Sequence, residues 1–179
     1  METLKQVKSQ TVFWSGSIPL LGAKEPLKII VMKIYVASSW RNERQQGVVK
    51  FLRDLDHEVY DFKNPEPNTG FGWSEIDENW ENWSNAEYFK ALDHPRSVQG
   101  FNSDFNAMKW ADACVLVMPC GRSAHTEAGW MQGQGKPTIV LIEQKAEPEL
   151  MYKIFDLVTD NLDAVRSRLL SLEFEIDLK

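Results

Sequence analysis

Two carboxylates, a tyrosine and a short polar loop are the residues whose types and spacing can do chemistry. Asp104 lies on an amphipathic segment just ahead of the apolar run 113–118, and Glu127 lies just behind that run. Between them stands the loop Pro119-Cys120-Gly121-Arg122-Ser123, with His125 two residues before the glutamate. Tyr35 ends another apolar run, 27–37. The order reads as helix, buried strand, glycine-containing loop, helix start. In an open parallel sheet, ligands bind beyond the carboxyl ends of strands, so these groups converge where a pocket belongs. Two carboxylates reaching one sheet edge from adjacent elements suit glycosidic-bond chemistry. One attacks or shields the developing oxocarbenium carbon, and the other handles the proton of the leaving group. Tyr35 can hydrogen-bond one of them, or bury its ring in the core.

Each candidate also has a plainer reading. The spacing puts Glu127 in the first turn of a helix over 125–134, where unpaired amides and the helix dipole favour an ionised carboxylate. That suits a nucleophile; it equally suits a glutamate that only stabilises its helix, and position alone favours the latter. Gly121, Arg122 and Ser123 can offer amides, a guanidinium and a hydroxyl to an anion such as a 5′-phosphate. Arg41 can do so from the first loop, although loop arginines are usually just solvated, and the spacing is not that of a P-loop. His125 and Glu127, two apart on a helix, do not face each other, so His125 reads as a helix cap or pocket wall. His57 and His94 fall in turns and read as structural. Cys120 lacks a base partner. No His, Cys or carboxylate spacing suggests a metal, and no cofactor is expected.

The bulk numbers narrow the partners. At 179 residues and 43% apolar content, the chain suits one well-buried domain. A net charge of −6 and a pI near 5.1 argue against a nucleic-acid surface. Two cysteines make neither a disulfide framework nor a zinc cluster, which fits a reducing, cytoplasmic setting. No run approaches the roughly 20 apolar residues of a membrane span, and Ser-Gly-Ser and Pro19 argue against a signal peptide.

The elements that must position the site follow from periodicity. Residues 1–31 show no clear period and read as an extension, poorly ordered or packed as an extra arm, with Met32 a plausible start of the domain proper, 32–179. The β-branched run 27–37 predicts a buried strand. Val48, Phe51, Leu52 and Leu55 recur at helical spacing, behind Ser39 or Asn42 as cap. A strand over 58–62 follows. Residues 63–85, rich in tryptophan, form a long loop of the kind that serves function, and read as a lid or pocket wall with Phe71, Trp73 and Trp80 available for stacking or for packing over the sheet edge. Further elements are a helix over 86–92 ended by His94-Pro95, an amphipathic helix carrying Phe101, Phe105 and Met108, and a strand over 113–118. The helix over 125–134 ends at Gly135-Lys-Pro. A strand over 137–142, a short helix over 147–153, a strand over 154–158 and a helix over 161–172 complete the chain. The pattern is an α/β domain around a five-stranded, mainly parallel, doubly wound sheet.

Three motifs, Lys33-Ile-Tyr-Val-Ala-Ser38-Ser-Trp40, Asn102-Ser-Asp104 and Thr126-Glu127-Ala-Gly-Trp130, resemble the nucleoside 2-deoxyribosyltransferase family, which includes related nucleotide N-glycoside hydrolases. The resemblance runs in order from about Met32 to Asn161. It implies a flavodoxin-like (Rossmann-like) fold and cleavage of the bond between a base and C1′ of a sugar. It further implies Glu127 as nucleophile, Asp104 assisting at the base and Tyr35 orienting the glutamate. Ser38, Trp40, Arg41, Trp73, Gly121, Arg122, Ser123 and His125 are the candidate substrate-binding residues. Asn161 resembles a residue lent to a neighbouring subunit, so a homo-oligomer, a dimer or larger, is expected. The chain departs from the transferases in one place: its loop before the glutamate, Cys-Gly-Arg-Ser-Ala, carries no acid. Arg122 and Ser123 look more like the hydrolase branch. Base exchange and hydrolysis, nucleoside and 5′-monophosphate, and ribose and deoxyribose therefore stay open. The alternatives are a nucleotide-binding sensor on the same scaffold and an NAD-type glycohydrolase.

Overall fold

A computed structural model describes residues 31–65 and 70–177. Most of the expected extension, 1–30, lies outside the described residues, as does 66–69 of the long loop. Five strands form one parallel sheet in the order β2-β1-β3-β4-β5, with β1 Lys33–Ala37, β2 Glu58–Tyr60, β3 Ala113–Val117, β4 Thr138–Leu141 and β5 Leu157–Thr159. This is the flavodoxin-like order, in which the chain reverses direction across the sheet between β1 and β3 and leaves a crevice there.

Alternation along the strands sorts side chains between two cores. Ile34 and Val36 of β1, Val115 and Val117 of β3, and Ile139 and Leu141 of β4 pack against α1 (Gln45–Asp54) and α5 (Leu162–Asp177). Tyr35, Ala37, Cys114, Leu116 and Val140 face α3 (Pro95–Trp110) and α4 (Arg122–Gly133). The register pairs Tyr35 with both Tyr60 and Cys114, so all three belong to one cross-sheet row. Each fully buried Leu, Ile or Val contributes roughly 1.5–3 kcal/mol, which is why the β-branched runs could be read so directly. Among the described residues no helix is long and apolar enough to cross a membrane, and no group of three or more His, Cys, Asp or Glu could hold a metal ion.

Several boundaries differ from the sequence reading. Helix α4 starts at Arg122, not His125. Its buried stripe is Ala124, Ala128 and Met131, two of them too small to raise a hydrophobic signal beside Gly121, so the first turn looked like loop. Neither Ser39 nor Asn42 occupies the N-cap of α1; Arg44 does. Asn42 Oδ1 accepts from Arg44 N at 3.0 Å. Its amide instead reaches Ser38 Oγ (3.0 Å), Val117 O (3.2 Å) and Pro119 O (3.2 Å), tying the loop after β1 to the end of β3. Pro95, read as a stop, is also the first residue of α3, where a missing N–H costs nothing. Helix α2 (Asn85–Leu92) opens on the capping box Ser84/Glu87, a signature the sequence carried unread. The short helix expected over 147–153 is a 3-10 turn, Leu150–Ile154. Strand β2 is shorter than expected, and β5 is shorter and begins later, since Ile154 belongs to the 3-10 turn.

Candidate active site

Glu127 and Asp104 come from the two helices that cover the Tyr35 face. Because α4 begins at Arg122, Glu127 falls in its second turn, out of reach of the first-turn amides invoked from sequence. It is largely buried beside Asp104. Burial, with the Asp104 charge adding to it, pushes the Glu127 carboxyl up to about 7. The expectation of a carboxylate kept ionised by its helix is therefore overturned. The reason is one of magnitude: a dipole contribution is about 0.3–1 kcal/mol, whereas each pKa unit of desolvation is 1.36 kcal/mol.

Asp104 is raised too, again by burial, while a hydrogen bond from Tyr60 opposes the rise. Tyr60 Oη donates to Asp104 Oδ1 at 2.8 Å and lies 3.0 Å from Ser103 Oγ. The Tyr60 ring stacks on Tyr35, with centroids 5.4 Å apart and planes 13° from parallel. Tyr35 Oη is buried beside Glu127, whose ionised form it favours. No partner among the described residues completes a hydrogen bond to it in both distance and angle. Burial, then the charges of Glu127 and Asp104, hold the Tyr35 hydroxyl well above its ordinary range. Each carboxyl group thus has its own tyrosine, and the two tyrosines lie face to face. Tyr60 escaped the sequence reading because a short alternating strand gave no hint that its ring would meet Tyr35. The strand register is what brings them together.

A cleft of about 680 Å³ opens along β2 and α3, lined among others by Tyr60, Asp61, Asn64, Ser103, Asn106 and Trp110. Neither of the two carboxyl groups lines it.

The other candidate residues divide. The Ser38 hydroxyl donates to Val117 O at 2.8 Å, which commits its proton to holding the loop. Arg41, Arg122 and Ser123 are exposed, and neither guanidinium has a side-chain or backbone partner among the described residues. Gly121 sits at the N-cap of α4 with no side-chain cap, so first-turn amides stay open to an anion there. Asn161 Oδ1 accepts from Asp163 N (2.7 Å) and Ala164 N (3.3 Å), capping α5.

His125 Nδ1 lies 2.8 Å from Gly121 O, and Nε2 lies 2.8 Å from Tyr152 Oη. A carbonyl only accepts, so Nδ1 carries the proton and Nε2 of the neutral ring takes the tyrosine's. Cys120 Sγ, 3.4 Å from Nδ1, therefore faces a committed N–H, not a base. Burial pushes its thiol up to about 12, so proximity to an imidazole does not make it a nucleophile.

The described part of the long loop, from Gly70 on, packs against α2 and α3. Trp73 meets Phe71, Trp83 and Tyr88 edge-on at 4.9, 5.7 and 5.9 Å between centroids. Arg96 of α3 pairs with Glu75 (2.6 Å), donates to Gly70 O (2.5 Å) and lies over Phe71. Trp40 packs on Phe62 at 5.4 Å and so closely on Gly70 that any side chain there would overlap its ring. Trp80 joins no ring contact among the described residues. At Gly100 a Cβ would sit 2.7 Å from Phe71 Cβ. A helical Gly→Ala change alone gains up to about 1 kcal/mol, but overpacking costs typically 1–3 kcal/mol. Gly100→Ala is thus expected to displace Phe71 and loosen the wall, shifting tryptophan emission to the red. Unchanged emission with raised stability would show that Phe71 yields freely.

No protein-family model matches this chain, and no curated protein matches its sequence. Among solved structures the chain is similar to a 2-deoxyribosyltransferase from the psychrotolerant bacterium Bacillus psychrosaccharolyticus, at 23% identity. That likeness covers 74% of this chain and 88% of the other, with a TM-score of 0.49. A likeness of this size carries nothing about the chemistry of the pocket.

Proposed function

We propose that this protein cleaves or exchanges the N-glycosidic bond of a nucleoside or nucleoside 5′-monophosphate. The observation that carries the reading is the pair of partly buried carboxyl groups, Glu127 and Asp104, placed so that burial first and the Asp104 charge second push the Glu127 carboxyl up to about 7. It is supported by the three motifs and by the sheet order, which changes direction between β1 and β3, the place at which such sheets bind ligands.

In this reading the Glu127 carboxylate attacks C1′ as Asp104 gives a proton to the departing base, leaving a glycosyl ester on Glu127. Water or a second base then attacks C1′, Asp104 takes back the proton, and the Glu127 carboxylate is released. Tyr35 steadies the ionised glutamate. Trp40, Phe71 and Trp73 wall the pocket. Arg122, Ser123 and the open amides of α4 would receive a 5′-phosphate. Because the reaction needs one proton on the pair, kcat/KM should fall as pH rises through about 7, where Glu127 loses that proton and Asp104 has none to give.

Base release from a panel of nucleosides, deoxynucleoside monophosphates and NAD, with and without an acceptor base, tests the reading. Release is expected, and Glu127→Ala should abolish it; unchanged turnover in that variant sinks the mechanism. Nucleotide binding without turnover on any substrate would favour a sensor. Arg122→Ala should weaken a monophosphate about tenfold more than its nucleoside, the loss of one charge-assisted contact. An equal effect on both would refute the phosphate assignment.

A further inference from the structure

Asp104 and Glu127 are held by different partners. A directed chain of donors reaches Asp104: Tyr60 has one proton and gives it to Asp104 Oδ1 at 2.8 Å, so the 3.0 Å contact with Ser103 Oγ is filled by the serine proton. Serine thus feeds tyrosine, and tyrosine feeds carboxylate, each bond polarising the next. Such a chain favours negative charge at its end. Oδ2 of Asp104 accepts nothing among the described residues. Glu127 has no comparable chain: Tyr35 favours its ionised form, but its hydroxyl completes no hydrogen bond in both distance and angle and no second donor stands behind it.

We propose that Tyr60 decides which carboxyl group holds the one proton the pair shares, leaving it on Glu127 before substrate enters and requiring it to pass to Asp104 Oδ2 for attack. Tyr60 is a positioning residue: it acts on the reaction through Asp104. The O–H bond of the Glu127 carboxyl breaks and one forms at Asp104 Oδ2, the oxygen Tyr60 leaves free. Charge moves from Asp104 to Glu127 and the total is unchanged. This rests on reading the pair as the working groups, and it deepens that reading by assigning the form in which the protein waits.

The surroundings leave the pair to itself. Tyr35 from β1, Tyr60 from β2, Cys114 from β3 and Cys120 from the loop before α4 are the titratable groups set against it. Burial holds all four neutral at physiological pH. The opposing charge that raises Glu127 is that of Asp104. Groups coupled this closely titrate as a pair, so weakening one partner's anion must move the other.

The test needs no substrate. Carboxyl carbons of Asp and Glu are followed by NMR across pH 4–9 in the wild-type protein and in Tyr60→Phe, which keeps the ring stack and removes the donor. Asp104 should ionise before Glu127 in the wild type. In Tyr60→Phe the Asp104 midpoint should rise by about one pH unit toward that of Glu127, as for loss of one charge-assisted hydrogen bond. Unmoved midpoints in a folded Tyr60→Phe protein would overturn the proposal. In an Asp104→Asn background, Tyr60→Phe should leave Glu127 where it is; a further shift there would also overturn it, because Tyr60 would then act by another route. These curves stand whether or not base release is ever seen, so failure of the proposed activity is separable from failure of this assignment.

Discussion

Glu127→Gln is expected to remove turnover, by on the order of a thousandfold or more for loss of a nucleophile, while making the protein more stable at pH 8. Its carboxyl is raised from 4.5 to about 7 by burial and by Asp104. The folded state therefore holds a proton that the unfolded state releases. Stability from this group is complete below about pH 4.5, is lost as pH rises toward 7, and stays lost above it. A rise of this size amounts to about 3 kcal/mol at pH 8. Glutamine fills the same space without a charge, so it recovers most of that loss at pH 8 and none at pH 4. Urea unfolding of both proteins at the two pH values checks this. An equal difference at both would show that Glu127 is not the strained group.

Asp61→Ala should cost about 3 kcal/mol at pH 7, the scale for stripping a buried charge from its donors. Asp61 is buried in the loop that follows β2. Its Oδ1 accepts from Gln45 Nε2 (2.8 Å) and Lys63 N (3.1 Å), and its Oδ2 from Gln46 Nε2 (2.8 Å) and Asn64 Nδ2 (2.8 Å). Burial alone would raise its carboxyl; the four donors outweigh burial and hold it below the ordinary range. The sign is opposite to that of Glu127. Stability from Asp61 is present above the unfolded value near 3.9 and disappears as pH falls through the lower folded value. The penalty of the alanine variant should therefore shrink in strong acid, read as converging urea midpoints between pH 7 and pH 2.5. A penalty constant with pH would mean that Asp61 acts through packing. Since the network joins the first turn of α1 to the loop leading toward the aromatic wall, its loss should also loosen that wall.

Glu127 and Asp61 were unequally visible. Glu127 could be found from its place behind an apolar strand and from the Thr-Glu-Ala-Gly-Trp motif. Asp61, in a stretch read as strand end, could not, because its four partners are amides whose roles depend on how α1 docks over β2. Asn42 was noticed and misassigned for a similar reason: its helix-capping chemistry is local, but the end of β3 offered its amide two acceptors and Ser38 a third. Lys136 gives the same lesson. It was read as part of a helix stop, yet its ammonium binds the carbonyls of Met108, Lys109 and Ala111 at 2.6–2.7 Å and caps a helix distant in sequence.

By itself the sequence determined the strands, their two-faced alternation, the parallel class and the two carboxylates that flank β3. Those follow from local periodicity and from burial, which act over a few residues. Tertiary structure alone decided where α4 begins, that Glu127 lies beyond the reach of its helix's first turn, that Tyr60 rather than Tyr35 completes a hydrogen bond to the pair, and that burial raises both carboxyl groups. Protonation depends on the water excluded and on charges brought in from other elements, and neither is a property of neighbours along the chain.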